Sequence, residues 1–68
     1  MKKTLSFYEC EHDGDMEIYE SDLRKCGAKI LSSRLDFEDE ECTIEIEVDN
    51  YNEFFKKFKE TNAYDFVL

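Results

Sequence analysis

The segment Cys42–Val48, with the sequence CTIEIEV, constrains the fold more than any other part of the chain. Apolar and polar residues alternate through it without a break, and successive side chains of a strand point to opposite faces of a sheet. The apolar set on one face is Cys42, Ile44, Ile46 and Val48. The pattern predicts a strand with one buried and one solvated face, which is typical of an antiparallel sheet covered on one side.

The other segments predict the remaining elements of a small domain. Strand-like composition predicts three more strands, at Lys3–Glu9, Ala28–Phe37 and Ala63–Leu68. Apolar residues at intervals of three and four predict two helices, at Asp15–Cys26 and Asn50–Glu60.

The sequence predicts the residues at three helix ends. Asp13 is a candidate N-cap of the first helix, and Gly27 stands where a C′ glycine ends it. Asn50 and Glu53 have capping-box spacing at the start of the second helix, and Asn52 is an alternative cap.

The predicted element order is β-α-β-β-α-β in a single domain, residues 1–68. This order is typical of the ferredoxin-like α+β fold, in which two helices pack on one face of an antiparallel sheet. Right-handed crossovers then give the strand order 4-1-3-2.

Alternation also predicts which side chains are buried. The expected core is Leu5, Phe7, Met16, Tyr19, Leu23, Leu31, Leu35, Ile44, Ile46, Val48, Phe54, Phe55, Phe58 and Phe66. Phe37 is expected on the same side as Leu31. Cys10 is expected on the face opposite Cys42. The uncovered sheet face, with Tyr8 and Ile30 among polar residues, is a candidate surface for a homodimer.

The charge balance limits the partners. Eighteen acidic residues against nine basic ones give a net charge of −9. Nucleic acids and anionic membranes are therefore poor partners, because both are bound through Lys and Arg. Three cysteines without a C-x-x-C pair fit a reducing compartment, so a cytoplasmic location is expected.

The segment Asp36–Asp49 holds eight carboxylates in fourteen residues. In the predicted topology, the turn within it lies beside the end of the first strand and the start of the first helix. The candidate partner-binding residues at this end are Glu9, Glu11, Asp36, Glu38, Asp39, Glu40 and Glu41. Three interpretations stay open: a solvated rim, a contact surface for a basic partner, and a divalent cation site.

The sequence predicts no metal site, no cofactor and no catalytic residue. Asp13, Asp15 and Glu17 alternate but lack the spacing of a calcium loop. Cys10 and His12 lack the further ligands that zinc requires. His12 is the only histidine, and no nucleophile stands near it in a recognisable catalytic arrangement. The protein is therefore expected not to be an enzyme.

The stretch HDGDMEIYESDLRKCGAKI resembles part of the ACT-like regulatory modules. Its matching positions are Asp13-Gly14, Leu23, Gly27 and Ile30. The resemblance implies a dimeric module that binds a small molecule, often an amino acid, near the Gly14 loop. Asp13, Gly14 and Asp15 are then the ligand-binding candidates.

These observations favour a small acidic binding or regulatory module that is not catalytic, with a small ligand or a protein as its partner. A homodimer of this module would form through the uncovered sheet face. The alternative is an acidic, inhibitor-like protein that imitates nucleic acid and occupies a basic protein surface.

Overall fold

A three-stranded antiparallel sheet forms the framework of the computed structural model, which describes residues 1–68. The strands are Lys2–Phe7 (β1), Lys29–Asp36 (β2) and Glu41–Glu47 (β3), in the order β1-β3-β2. The helices are Asp13–Lys25 (α1) and Tyr51–Phe58 (α2), and a 3₁₀ helix covers Asn62–Phe66.

The central strand, β3, confirms the alternation that its sequence predicts. Cys42, Ile44 and Ile46 are buried, whereas the residues between them are half-buried. The covered face holds both helices, because the ring of Phe7 lies 4.6 Å from that of Tyr19 in α1 and 6.3 Å from that of Phe58 in α2. The fold is therefore α+β, with helices against the apolar face of the sheet.

The predicted fourth strand, Ala63–Leu68, does not form, so the ferredoxin-like arrangement with strand order 4-1-3-2 is wrong. Asp22 in α1 accepts a hydrogen bond from the backbone N–H of Ala63 at 3.1 Å, and the chain turns into a 3₁₀ helix there. Only the last two residues run extended. Val67 forms an isolated bridge with Phe7, and the backbone N–H of Leu68 donates to the Ser6 carbonyl at 2.8 Å.

A β-bulge in β2 reverses the facing that the sequence predicts. Ile30 pairs with Ile46 and Ser32 pairs with Glu45, which leaves Leu31 as the extra residue. Ile30 therefore faces the helices, and Leu31 is 37% exposed rather than in the core. The prediction that Leu31 is buried and Ile30 lies on the open face is wrong.

The bulge also places a polar residue among the apolar ones. Ser33 lies opposite Ile44 on the helix side of the sheet. Its hydroxyl donates a hydrogen bond to the carboxylate of Glu20 in α1, so this half-buried hydroxyl has a partner.

Two of the three predicted helix ends are confirmed. The Asn50 side chain accepts a hydrogen bond from the Glu53 N–H at 3.2 Å and caps α2. Gly27, with φ of 91°, ends α1 in the left-handed region that favours glycine. Asp13 does not cap α1, because it is the first helical residue and His12 holds the cap position.

One cluster of buried residues forms the core. Its members are Phe7, Cys10, Tyr19, Leu23, Cys26, Ala28, Cys42, Ile44, Ile46, Val48, Phe54, Phe58 and Ala63. Eight of them belong to the expected core, and Cys42 lies on the predicted buried face of β3. Partly buried side chains that pack against the cluster include five more of the predicted set: Leu5, Met16, Leu35, Phe55 and Phe66.

Candidate functional site

The register of the sheet brings the two acidic segments of the chain together. Phe7 of β1 and Leu35 of β2 both lie opposite Cys42 of β3. The strands β1 and β2 therefore end at the same end of the sheet, on either side of β3. The backbone N–H of Cys10 donates to the Glu40 carbonyl at 2.8 Å and joins the β1–α1 loop to the β2–β3 turn. The carboxylates of this acidic end are Glu9, Glu11, Asp13, Asp15, Asp36, Glu38, Asp39, Glu40 and Glu41.

Lysines gather at the other end of the sheet. Lys2 and Lys29 both lie opposite Glu47, which is the last residue of β3. In the acidic end, His12 Nε2 lies 3.7 Å from Asp15 Oδ2, and no Lys or Arg forms an ion pair there. The surface potential of the acidic end is therefore offset by almost no local positive charge.

The β2–β3 turn has a defined backbone and an exposed aromatic residue. Asp36 Oδ1 accepts hydrogen bonds from the N–H groups of Glu38 at 3.1 Å and Asp39 at 3.3 Å. Glu40 has a φ of 55°, which completes the turn. Phe37 is 70% exposed and does not continue the apolar side of β2 on which Leu35 packs against the core. The residue follows the strand by one position and stands among the carboxylates instead.

The ligand-binding candidates Asp13, Gly14 and Asp15 form the first turn of α1 rather than a loop. An added Cβ at Gly14 would lie 3.0 Å from the ring of His12, so glycine leaves room for that ring. Asp15 Oδ2 accepts a hydrogen bond from the Glu11 N–H at 3.0 Å. Of the three candidates, only Asp15 lines a cavity.

That cavity, here called the α1 cavity, has a volume of about 240 Å³. Its lining residues are Glu9, Asp15, Ile18, Tyr19 and Phe66. The aromatic rings of Tyr19 and Phe66 lie 5.9 Å apart and are tilted by 40°. The site thus combines two carboxylates with apolar walls.

Tyr19 fixes the wall of the α1 cavity to the end of β1. Its hydroxyl donates to the carbonyl oxygens of Tyr8 at 3.0 Å and Glu9 at 3.1 Å. Burial, with smaller contributions from neighbouring negative charges such as Asp15, raises the pKa of Tyr19 to about 12. The hydroxyl is therefore a neutral donor whose proton the backbone already uses.

Cys10 and Cys42 lie side by side in the core, so the prediction that they face opposite sides is wrong. The strand alternation does not reach Cys10, because β1 ends at Phe7 and the chain turns at Glu9 with a φ of 54°. Each of these two cysteines affects the pKa of the other. The Cys10 thiol lies 4.0 Å from the carbonyl of His12.

Burial keeps all three cysteines in the thiol form near neutral pH. Burial, together with a smaller contribution from the adjacent Cys10, raises the pKa of Cys42 to about 12. Burial is also the main cause of the raised pKa of Cys10 and of Cys26. Because the thiolate is the nucleophile and the metal ligand, these thiols are poorly suited to either role. No group of three or more His, Cys, Asp or Glu side chains is arranged to hold a metal ion.

The open face of the sheet is polar. Ser6 Oγ and Thr43 Oγ1 are hydrogen-bonded at 3.3 Å, and Thr43 lies opposite Arg34. Ile30, which was predicted to contribute to a dimer surface here, faces the helices. Tyr8 is exposed, and its hydroxyl donates to the Asp65 carbonyl at 2.8 Å.

Comparisons of the chain with protein-family models, curated proteins and solved structures found no match. Neither helix combines the length and the apolar character that crossing a membrane requires.

Proposed function

We propose that the protein is a small binding module without catalytic activity that contacts a basic protein through its acidic end. The observation that carries this proposal is the position of Phe37, a 70% exposed aromatic ring on a turn whose other residues are carboxylates. An aromatic anchor inside a charged rim is the composition of many protein–protein hot spots. The expected partner surface has an apolar recess surrounded by Lys and Arg.

Charge and aromatic anchor have different roles in this proposal. The uncompensated carboxylates attract a basic surface over a distance and raise the association rate at low ionic strength. Phe37 supplies apolar surface that is buried only in the complex. The backbone hydrogen bonds to Asp36 hold the turn in one conformation, which lowers the entropy cost of binding.

The protonated, buried thiols support a role in binding rather than in catalysis, and three free cysteines support a location in the reducing cytoplasm. The alternative, an imitator of nucleic acid, uses the same carboxylates but predicts that DNA displaces the protein from its partner. A small ligand at Asp13, Gly14 and Asp15, and a homodimer through the open sheet face, stay as further predictions.

Neutralising the turn is expected to remove the partner and keep the fold. The variant carries Glu38→Gln, Asp39→Asn, Glu40→Gln and Glu41→Gln. Its affinity for the partner should fall at least about tenfold, while its free energy of unfolding should change by less than about 0.5 kcal/mol, because surface charges contribute little to stability. The partner is first captured from the source cells and purified. Its dissociation constant is then measured by calorimetry over a series of salt concentrations.

The matched control variant loses four negative charges elsewhere: Glu45→Gln, Asp49→Asn, Glu53→Gln and Glu60→Gln. It should bind within about twofold of the wild type, since these residues lie away from the turn. Phe37→Ala should weaken binding without changing its salt dependence. Equal losses in both neutralised variants would contradict the proposal. A partner that DNA displaces would favour the imitator instead, and concentration-dependent sedimentation would favour the homodimer.

A further inference from the structure

The α1 cavity presents hydrogen-bond acceptors and aromatic surface to a ligand. The carboxylate of Glu9 is exposed at its edge, and Asp15 is half-buried beside it. The hydroxyl of Tyr19 donates to two backbone carbonyls, so only the ring of Tyr19 is available to a ligand. No Lys, Arg or His lines the cavity. Its chemistry therefore suits a cation with an apolar or planar body.

The geometry favours a planar cation over a compact one. Rings of Tyr8, Tyr19 and Phe66 form a tilted series, with centroid distances of 5.5 Å and 5.9 Å. A guanidinium group stacks on aromatic faces and is more weakly hydrated than an ammonium group. A guanidinium group also has five N–H donors, so it can donate to more than one carboxylate. A cavity of about 240 Å³ accommodates one such side chain rather than a larger ligand.

We propose that the α1 cavity binds the guanidinium group of an arginine side chain, held between the carboxylates of Glu9 and Asp15 and stacked on the ring of Phe66. This inference rests on the proposed function, because the arginine belongs to the basic protein that the acidic end contacts. Ile18, which is 59% exposed, then covers the methylene groups of that arginine. The cavity supplies specificity for arginine, and the turn with Phe37 supplies general attraction to the partner.

The test measures binding of a small arginine probe directly. N-acetylarginine methylamide is titrated into the full chain while NMR records amide and aromatic signals. The expected result is a saturable change confined to Glu9, Asp15, Tyr19 and Phe66. N-acetylcitrulline methylamide has nearly the same shape without the charge and should cause no saturable change. The lysine counterpart should bind more weakly than arginine, because it does not stack.

Variants of the cavity separate its two components. Glu9→Gln combined with Asp15→Asn should weaken arginine binding about tenfold, and asparagine keeps an acceptor for the Glu11 N–H. Phe66→Leu should weaken it about threefold to tenfold through loss of the stacked ring. The control, Glu38→Gln with Asp39→Asn, removes two charges outside the cavity and should bind arginine within about twofold of the wild type.

The outcomes distinguish this inference from the proposed function. Binding that the cavity variants lose and the turn control keeps supports the arginine site. Equal binding of citrulline, or equal losses in the cavity variants and the turn control, would overturn it. The proposed function is tested on a different residue set, since capture of the partner depends on Phe37 and the turn. An arginine site can therefore fail while partner binding through the turn stands.

Discussion

Replacing Ile46 by alanine is expected to lower the free energy of unfolding by about 2–5 kcal/mol, which is the usual cost of such a core deletion. Ile46 is fully buried at the centre of the sheet, with Lys3 of β1 and Ile30 of β2 on either side. A core in a chain of this size supplies only about 3–5 kcal/mol of net stability. The variant should therefore be largely unfolded in water, as measured by circular dichroism during urea denaturation.

The matched control is Ile18→Ala, at an isoleucine that is 59% exposed on α1. This change should alter the free energy of unfolding by less than about 0.5 kcal/mol, since little apolar area is lost and alanine favours helix. If the two alanine variants were equally stable, the core would not be centred on β3.

The parts of the fold that the sequence predicts are those that local physics decides. Strict alternation marks β3, and an asparagine at capping spacing marks the start of α2. Gly27 marks the end of α1, because few other residues adopt its positive φ. The segregation of charge follows as well, since the order of the strands decides which loops share an end of the sheet.

Tertiary contacts decide the parts that the sequence does not predict. The bulge at Leu31 shifts the facing of β2 by one residue, and no local signal in the segment LSS marks it. Where a fourth strand was expected, the chain forms a 3₁₀ helix, and the Ala63 N–H donates a hydrogen bond to Asp22, which lies 41 residues earlier in the sequence. The β-propensity of Ala63–Leu68 alone favours a strand. A contact with a residue far away in the sequence cannot be read from that propensity.

The candidate site shows the same division. The carboxylates of the acidic end are visible in the sequence, and the register brings them together. The α1 cavity is not visible, because one of its walls is Phe66, which lies in the segment where a strand was expected. Phe37 was expected on the same side as Leu31 because the strand pattern was extended past Asp36, where the turn begins. The periodicity of a strand or helix therefore does not predict where side chains lie just beyond its end.

Raising the pH above about 9 is expected to unfold the protein. The pKa of Cys42 rises from its ordinary value of 9.0 to about 12 in the folded state, and that of Tyr19 from 10.0 to about 12. Both groups are acids that lose their protons more readily when unfolded. The stability they supply is therefore complete below pH 9 and decreases as the pH rises toward 12.

Each such group lowers the free energy of unfolding by up to about 1.4 kcal/mol per pH unit within this window. Cys10 and Cys26, whose pKa values burial also raises, act in the same direction. A domain with only a few kcal/mol of stability should unfold before the pH reaches the pKa that Cys42 has in the folded state.

Urea denaturation at successive pH values, with thiolate and tyrosinate absorbance recorded in parallel, measures the loss of stability. Cys42→Ala should show a shallower decrease than the wild type. A free energy of unfolding that stayed constant across this pH range would contradict the prediction. An equal slope in the alanine variant would show that Cys42 is not the group whose titration lowers the stability.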